Sequence, residues 1–373
     1  MSYKIAWLPG DGVGLEVMEA AKICLDALKL DATYTFGDIG WACWCREGEA
    51  LPQRTIQLLQ HSTAAMFGAI TSKPARDAEA ELAPGLKGTG LVYRSPIVRM
   101  RQMFDLYTCL RPCRAYPGNP LNFKEGIDLV GFRENTEGLY SGVEFSPVPA
   151  DVATALGNHS KAFAPFADSA PGDYAITCKI NTRKGCERII RAAFAYAERF
   201  GYPKVTVVHK ANVVRATEGM FLEIARSVAT DYPGIRMDDA NVDAICMWLL
   251  KNPLNYGVLV ATNLFGDIIS DLSAQLVGGL GFGCSGNIGK ELAVFEPSHG
   301  SAPKYAGQYK VNPIATILAA RMMLDWLGEA DLARRLEAAT AAVIAEGEVR
   351  TYDMGGTAST LEMGEAIARK LRP

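Results

Sequence analysis

Short apolar runs alternate along the chain with longer stretches in which apolar residues recur every three or four positions. KIAWLPGDG, at residues 4–12, predicts a strand that enters a glycine turn, and LEVMEAAKICLDAL, at 15–28, predicts an amphipathic helix. Further strands are predicted in AAMFGAI, GIDLVGF, KVTVVHK and YGVLVATN, and further helices in EGMFLEIARSVA and IISDLSAQLVGGL. This order of elements predicts an α/β fold with a largely parallel sheet.

One segment departs from the alternation. Residues 146–172, SPVPADVATALGNHSKAFAPFADSAPG, are rich in Ala, Pro, Gly, Ser and Asp and show little amphipathic order. Long loops inside compact domains are uncommon unless they have a function. The segment is therefore either a solvent-exposed loop or an arm that crosses to another subunit.

Composition narrows the class of protein. The chain has 373 residues, enough for two or three domains, with 49% hydrophobic and 21% charged residues, as in globular proteins. The formal charge is −3 and no lysine or arginine run is long, which argues against nucleic acid as a partner. Without a signal peptide or a membrane-length apolar run, we expect a cytoplasmic protein with no membrane partner. The nine cysteines lack the spacing of a zinc site, so we expect reduced, mostly buried thiols.

The first glycine cluster is a candidate for cofactor binding. Gly10, Gly12 and Gly14 lie between a predicted strand and a predicted helix, where a dinucleotide-binding loop would be found. The spacing is not GxGxxG, and no acidic residue follows at the required distance. A tight turn that needs glycine explains the cluster better.

Charged residues suggest a site for an acidic substrate. Arg101, Arg111 and Arg133 could each present a planar fork to a carboxylate, and their convergence would indicate a substrate with two or three carboxylates. Asp267 and Asp271 are four residues apart, so on a helix they share one face, where like charges repel unless a cation separates them. Oxygen ligands favour Mg²⁺ or Mn²⁺, and Asp243 could complete such a site. Taken singly, such residues are more often surface or salt-bridge groups, and only their clustering favours a site.

Two further residues suit acid and base chemistry. Lys210 ends an apolar run, and burial near cations lowers the pKa of a lysine towards the range of a general base. Tyr140, seven residues after Arg133, is a possible proton donor. The alternatives are a surface lysine and a packed tyrosine.

Six segments together resemble the β-decarboxylating dehydrogenase family, which comprises isocitrate, homoisocitrate and 3-isopropylmalate dehydrogenases. The segments appear in family order and cover nearly the whole chain: LPGDGVGLEV, SPIVRMRQMFDLYTCLRP, GFRENTEGLYSG, HKANVVRATEGMF, NLFGDIISDLSAQLVGGLG and HGSAPKYAGQYKVNPIATILAARMML. The resemblance implies the non-Rossmann isopropylmalate/isocitrate dehydrogenase fold, an α/β fold. Residues 1–106 and 278–373 would form the large cofactor-binding domain, and 107–277 the small dimerisation domain. The resemblance also implies a homodimer with shared active sites and a clasp arm at about 141–180.

The resemblance assigns roles by position. Ser95, Ile97, Arg101, Arg111 and Arg133 would bind the substrate, Asp243, Asp267 and Asp271 the metal, and Tyr140 and Lys210 would be catalytic. Asp243 and Lys210 would come from the neighbouring subunit. Cofactor binding is assigned to Asn212, His299, Gly300, Ala302, Lys304, Tyr305, Val311, Asn312 and Tyr352.

Finer similarities to individual members of the family lead us to expect a particular substrate and a particular cofactor. Ile97 stands where isocitrate enzymes usually carry asparagine, so SPIV looks like some homoisocitrate enzymes, whereas TCLRPCRAY and YSGVEF look like isocitrate dehydrogenases. We expect isocitrate, a tricarboxylic acid cycle substrate, with homoisocitrate and then 3-isopropylmalate as alternatives. Lys304 and Tyr305 resemble the NADP-dependent pattern, although Gly356 replaces an expected arginine, so NADP is expected and NAD is possible. The alternative from a different functional class is a non-catalytic regulatory subunit. Such subunits typically lack the metal-binding aspartates or the catalytic lysine and tyrosine, all of which this sequence has.

Overall fold

A computed structural model describes residues 2–170 and 172–372 of the chain. The strands are, in chain order, β1 Tyr3–Gly10, β2 Ala32–Phe36, β3 Ala64–Ala69, β4 Thr108–Arg114, β5 Asp128–Glu134, β6 Glu144–Phe145, β7 Ile176–Thr177, β8 Lys204–His209, β9 Arg236–Asn241, β10 Val258–Ala261, β11 Cys284–Ile288 and β12 Ala293–Pro297. The α-helices are α1 Gly14–Leu28, α2 Trp41–Glu47, α3 Gln53–Gln60, α4 Ala75–Ala80, α5 Pro96–Met103, α6 Ala150–His159, α7 Arg183–Phe200, α8 Arg215–Ala229, α9 Val242–Lys251, α10 Asn263–Gln275, α11 Ile314–Trp326, α12 Ala330–Glu346 and α13 Thr360–Leu371. The strands and helices predicted from the apolar pattern all form.

Ten strands form one sheet in the order β2-β1-β3-β12-β11-β4-β5-β10-β8-β9. Pairing is parallel at both ends of the sheet. It is antiparallel in the middle, where β11 lies between β12 and β4, and β4 pairs with β5. The predicted α/β architecture is confirmed, with an antiparallel centre that the apolar pattern does not reveal.

Strand alternation places helices on both faces of the sheet. In β1, Ile5 and Trp7 belong to a core with α1, α11, α12 and α13, whereas Ala6 and Leu8 belong to a separate core with α3 and α5. In β10, Val258 and Val260 likewise face α7 and α8, while Leu259 and Ala261 face α9 and α10. The first two cores come mainly from the chain ends and the other two from the middle of the chain. The two-domain division and its boundaries remain a prediction.

The Ala- and Pro-rich segment contains more order than its composition predicts. It forms α6, a ten-residue helix that buries none of its own side chains. The short strands on either side of it, β6 and β7, pair antiparallel as Glu144 with Thr177 and Phe145 with Ile176. A helix without a buried face is typical of an element that packs on another chain, so the crossing arm remains a prediction that this geometry favours.

All nine cysteines are free thiols, and six of them are buried, as expected from their spacing. Within the described part of the chain, no helix is long and apolar enough to cross a membrane.

Candidate active site

The three predicted arginines converge at the centre of the sheet. Arg101 lies on α5, Arg111 inside β4 and Arg133 inside β5, and all three are buried. Antiparallel pairing of Cys109 with Arg133 and of Arg111 with Gly131 places the two strand arginines close together. Burial lowers the pKa of Arg133, and the positive charges of Arg101 and Arg111 add to that shift. Such a concentration of buried positive charge suits an anion with several carboxylates.

Helix α10 brings two carboxylates to these arginines. Arg111 Nη1 lies 2.7 Å from Asp271 Oδ1 and 3.4 Å from Asp267 Oδ1. Arg133 donates to Asp267 through Nη1 and to Asn263 Oδ1 through Nε at 2.9 Å. Gly266 makes this approach possible, because a Cβ there would lie 2.6 Å from the Arg133 Cβ. The predicted shared face of the two aspartates is therefore the face that meets the arginines.

Tyr140 completes this cluster. Its hydroxyl donates to Asp267 Oδ2 at 2.9 Å, and the Arg133 guanidinium carbon lies 5.1 Å from the centre of its ring. Burial raises the pKa of Tyr140, and the negative charge of Asp267 adds to the shift. The hydroxyl consequently keeps its proton at neutral pH, as a proton donor requires.

A buried polar network that the motifs do not reveal holds Arg101. Its Nε donates to Asn287 Oδ1 at 2.8 Å, and its Nη2 lies 3.3 Å from Glu296. Asn287 donates in turn to Glu296 at 2.7 Å and accepts from Asn135 at 3.0 Å. These partners lie on β11, on β12 and immediately after β5, so only the folded sheet brings them together. In the sequence, Asn287 lies in the segment CSGNI, which contains glycine and asparagine. This pattern is too weak to predict the strand that positions Asn287.

One cleft connects the predicted substrate and cofactor residues. Its volume is about 250 Å³, and its walls include Ser95, Ile97, Arg101, Arg111, His299 and Gly300. His299 Nδ1 lies 2.9 Å from the Gly300 carbonyl oxygen, whereas its buried Nε2 has no partner within the described residues. Burial lowers the pKa of His299, which favours a neutral ring in this cleft.

Lys210 and Asp243 form a pair of their own. Lys210 Nζ lies 2.5 Å from Asp243 Oδ1, and the hydrogen bond from Lys210 lowers the pKa of Asp243. Both side chains reach solvent, with 24% and 66% of their area exposed. Within the described chain, neither side chain forms a hydrogen bond or ion pair with Tyr140 or the α10 aspartates, and their service to a neighbouring subunit stays a prediction.

The three predicted metal ligands do not come together within the described residues. Among residues 2–170 and 172–372, no three His, Cys, Asp or Glu side chains are close enough together to hold a metal ion. Asp267 and Asp271 nevertheless fit one, because they are acidic neighbours with oxygen donors only. Burial raises the pKa of Asp271, with Arg111 opposing that shift and Asp267 adding to it. A divalent cation would relieve the repulsion between the two carboxylates.

The predicted cofactor loop carries a cluster of lysine and tyrosine side chains. The Tyr305 and Tyr352 rings lie 5.5 Å apart. Lys304 Nζ is 4.8 Å from the Tyr305 ring and Lys310 Nζ is 5.1 Å from the Tyr352 ring. The Tyr352 hydroxyl lowers the pKa of Tyr305, and Lys304 adds to the effect. Lys310 was not among the predicted cofactor residues, although it lies only two positions before Asn312.

Other predicted cofactor residues have clear structural contacts. Asn312 accepts from the Ile314 amide at 3.0 Å at the start of α11 and donates to Asp353. Val311 packs with Val13 and Val17, beside Ala302, whose φ is +38°. Asn212, by contrast, lies in the exposed turn after Lys210 and not in this loop. Its assignment therefore depends on the same neighbouring subunit as Lys210.

The first glycine cluster supports this loop and is not a dinucleotide fingerprint. Gly12 has φ +56°, and a Cβ there would lie 2.1 Å from the Ser301 carbonyl oxygen, which itself accepts from the Val13 amide. Buried Glu16, on the following helix, accepts from the amides of Gly307 and Tyr309. This geometry agrees with the tight-turn interpretation of the glycines. Glu16 binds the loop through two backbone amides, a role that the helical periodicity of its segment does not indicate.

Comparison with known proteins gives one consistent family. The sequence matches the family described as Isocitrate/isopropylmalate dehydrogenase over residues 4–367. It is 41% identical to a 3-isopropylmalate dehydrogenase of Methanothermobacter thermautotrophicus, over 99% of each chain. It is 40% identical to an isocitrate/homoisocitrate dehydrogenase of Thermus thermophilus, over 100% of this chain and 99% of that one. The crystal structure of isocitrate dehydrogenase from Methylococcus capsulatus matches with a TM-score of 0.86 at 38% identity, covering 100% of both chains.

One curated relative is longer. Protein DlpA of Legionella pneumophila is 40% identical over 98% of this chain, which spans 58% of its length. The names of these relatives differ in substrate, so they do not choose between the hydroxy acids.

Proposed function

The chain belongs to the isocitrate/isopropylmalate dehydrogenase family, and from this premise we propose that it oxidises and decarboxylates isocitrate to 2-oxoglutarate and CO₂ with NADP as hydride acceptor. Members of this family act on small hydroxy acids and use NAD(P) and a divalent metal ion. The observation that carries the proposal is the contact of buried Arg111 and Arg133 with Asp267, Asp271 and Tyr140, with buried Arg101 lining the same cleft as Arg111.

The arginines account for the class of substrate. Arg101, Arg111 and Arg133 would bind and orient the carboxylates of the hydroxy acid, and their buried donors give these charge-assisted hydrogen bonds more strength than in water. Ser95 and Ile97 line the same cleft and would contact the group that distinguishes one hydroxy acid from another. Homoisocitrate is the second candidate, because Ile97 offers an apolar surface for one additional methylene. 3-Isopropylmalate is the third.

The proton transfers are assigned to Lys210 and Tyr140, as the family resemblance implies. When bound, the divalent cation would supply Lewis acidity and NADP would supply the hydride acceptor. Lys210 of the partner subunit would assist removal of the hydroxyl proton. After CO₂ leaves, the Tyr140 hydroxyl would protonate the carbon that carried it.

The shared site requires a homodimer. Asp267 and Asp271 would hold Mg²⁺ or Mn²⁺ together with Asp243 of the partner subunit. Exposed apolar side chains support an interface on the same elements: Met247 and Leu250 on α9 and Ile268 on α10 are each about half exposed. Exposed apolar side chains on neighbouring helices are typical of surfaces that pack against another chain. The arm around α6 would add to this contact.

The lysine and tyrosine cluster supports NADP. Lys304, Lys310, Tyr305 and Tyr352 offer two positive charges and two hydroxyls beside the loop that would hold the adenosine half. A 2′-phosphate is a dianion with several acceptor oxygens and fits this set, whereas an unphosphorylated ribose would leave both lysines without an anionic ligand.

The experiment is a rate comparison. Purified protein would be assayed for cofactor reduction with isocitrate, homoisocitrate and 3-isopropylmalate, each with NADP and NAD, with Mg²⁺ and with EDTA. We expect the highest kcat/KM for isocitrate with NADP and no activity in EDTA. A higher kcat/KM for another acid or for NAD would overturn that part of the proposal, and activity with none of the acids would overturn all of it.

A further inference from the structure

Lys179 and Glu218 form a buried ion pair that the proposed mechanism does not use. The pair contacts segments that carry proposed active-site residues. Glu218, on α8, has a fully buried side chain, and Lys179, from the segment before α7, is 16% exposed and pairs with it. Removing two charges from water is costly, and a buried pair often contributes little to stability. The contacts of this pair indicate what else it does.

The Glu218 carboxylate connects Lys210 to the start of α10. Oε1 accepts from Lys179 and from the Thr262 hydroxyl at 2.9 Å, and Oε2 accepts from the Lys210 amide at 3.3 Å. Thr262 immediately precedes α10, the helix that carries Asp267 and Asp271. One carboxylate therefore contacts both the backbone of the proposed base and the N-terminus of the metal-binding helix.

Lys179 extends these contacts to Tyr140. Its ammonium lies 3.4 Å from the Thr262 hydroxyl and 4.6 Å from the ring centre of Phe265 on α10. The next residue, Ile180, exchanges two backbone hydrogen bonds with Gly138, at 2.7 and 3.3 Å. Gly138 is two residues before Tyr140. The ion pair thus stands where the segments of Tyr140, Lys210 and the two aspartates meet.

We infer that Lys179 and Glu218 are positioning residues that hold these three segments in register and thereby connect the two active sites of the dimer. The second half of this inference depends on the proposed function, in which Lys210 serves the partner's site while Tyr140, Asp267 and Asp271 serve their own. A displacement of about 1 Å at reacting groups can cost about a hundredfold in rate, so small shifts at this junction are catalytically important.

The first test separates positioning from folding. Either single substitution would leave a buried charge unpaired, so the main variant is the neutral double substitution Lys179→Met with Glu218→Gln. The amide introduced at position 218 can still accept from Thr262, but the thioether introduced at position 179 can no longer donate to either partner. The matched control is Lys204→Met, another lysine with low exposure, 12%, paired with Asp238 at 2.9 Å and 4.7 Å from the Tyr256 ring, at the opposite end of β8 from Lys210.

We expect the double variant to lose at least about tenfold in kcat while KM for substrate and cofactor stays within about twofold, because the arginine cleft is untouched. The control should keep its kcat. A folded double variant with near wild-type kcat, or one that loses binding and kcat equally, would overturn the positioning role.

The second test uses hybrid dimers of differently tagged subunits. A hybrid of Lys210→Met with Tyr140→Phe retains one complete site if sites are shared, and should recover about half of wild-type activity. Failure of this recovery would overturn the shared site, independently of the ion pair.

The double variant is then paired with each of these inactivating partners. With a Lys210→Met partner, the one live site uses Lys210 from the double-variant subunit. With a Tyr140→Phe partner, the one live site uses Tyr140, Asp267 and Asp271 from the double-variant subunit and Lys210 from the partner. We expect both hybrids to be at least about fivefold slower than the corresponding hybrids with a wild-type subunit. A loss in only one of them would overturn the connection between the two sites.

Discussion

Replacing Tyr140 by phenylalanine removes one hydroxyl and keeps the ring that packs against Arg133. The hydroxyl is half-buried and makes one hydrogen bond, 2.9 Å long, to Asp267. Its loss should cost about 0.5–1.5 kcal/mol of folding free energy. A missing general acid costs about a hundredfold to ten-thousandfold in rate, which corresponds to about 2.7–5.4 kcal/mol of activation free energy. Catalysis should therefore fall far more than stability.

The assay compares kcat, KM and thermal unfolding of wild type and Tyr140→Phe. We expect kcat to fall at least about a hundredfold, KM to change little and Tm to fall by only a few degrees. With substrate deuterated at C2, the isotope effect on kcat should be small in this variant, because the slow step now follows hydride transfer. Wild-type turnover would refute the acid role, and a drop in kcat matched by loss of folded protein would refute the distinction between catalysis and stability.

Three further expectations concern the cofactor loop and the thiols. Lys310→Ala should lower kcat/KM for NADP and affinity for 2′,5′-ADP by roughly tenfold, with NAD unaffected; equal losses for both cofactors would contradict a 2′-phosphate contact. Gly12→Ala should destabilise the protein by at least about 2 kcal/mol in denaturant unfolding, whereas Gly85→Ala, in open space, should not; equal stability would contradict the Ser301 clash. Burial raises the pKa of Cys24 and of Cys284 to about 12. A thiol reagent at pH 8 should therefore label all nine cysteines after unfolding, but should quickly label at most the three partly exposed cysteines in the native protein. Rapid labelling of more than three cysteines in the native protein would contradict the burial.

Apolar periodicity predicts the strands whose side chains point alternately into two hydrophobic cores, together with the helices that cover them. It fails for strands that carry polar residues or proline. The strand β1 and the helix α1 follow directly from their patterns. The central strand β4 carries Pro112 and Arg111, and β11 reads CSGNI, so neither resembles a buried strand. The antiparallel centre of the sheet consequently appears only when non-local pairing is known.

The same limit applies to the site. Spacing alone places Asp267 and Asp271 on one helical face, because four residues are about one turn. Their meeting with Arg133 depends on Gly266 and on the register of β4 with β5, which no local pattern contains. Asn287 and Glu296 lie more than 180 residues from Arg101 in sequence, and Glu218 and Lys179 have no motif of their own. Tertiary contact is what gives these residues their roles.

The most direct test of the proposed function is the stoichiometry of the reaction. CO₂ release and NADPH formation from isocitrate would be measured together with Mg²⁺ present, in wild type and in Asp267→Asn. We predict one CO₂ for each NADPH in wild type, and loss of both products in the variant, because the variant lacks a carboxylate that contacts Arg111, Arg133 and Tyr140. NADPH formation without CO₂, or an Asp267→Asn enzyme that releases both at the wild-type rate, would contradict the proposed chemistry.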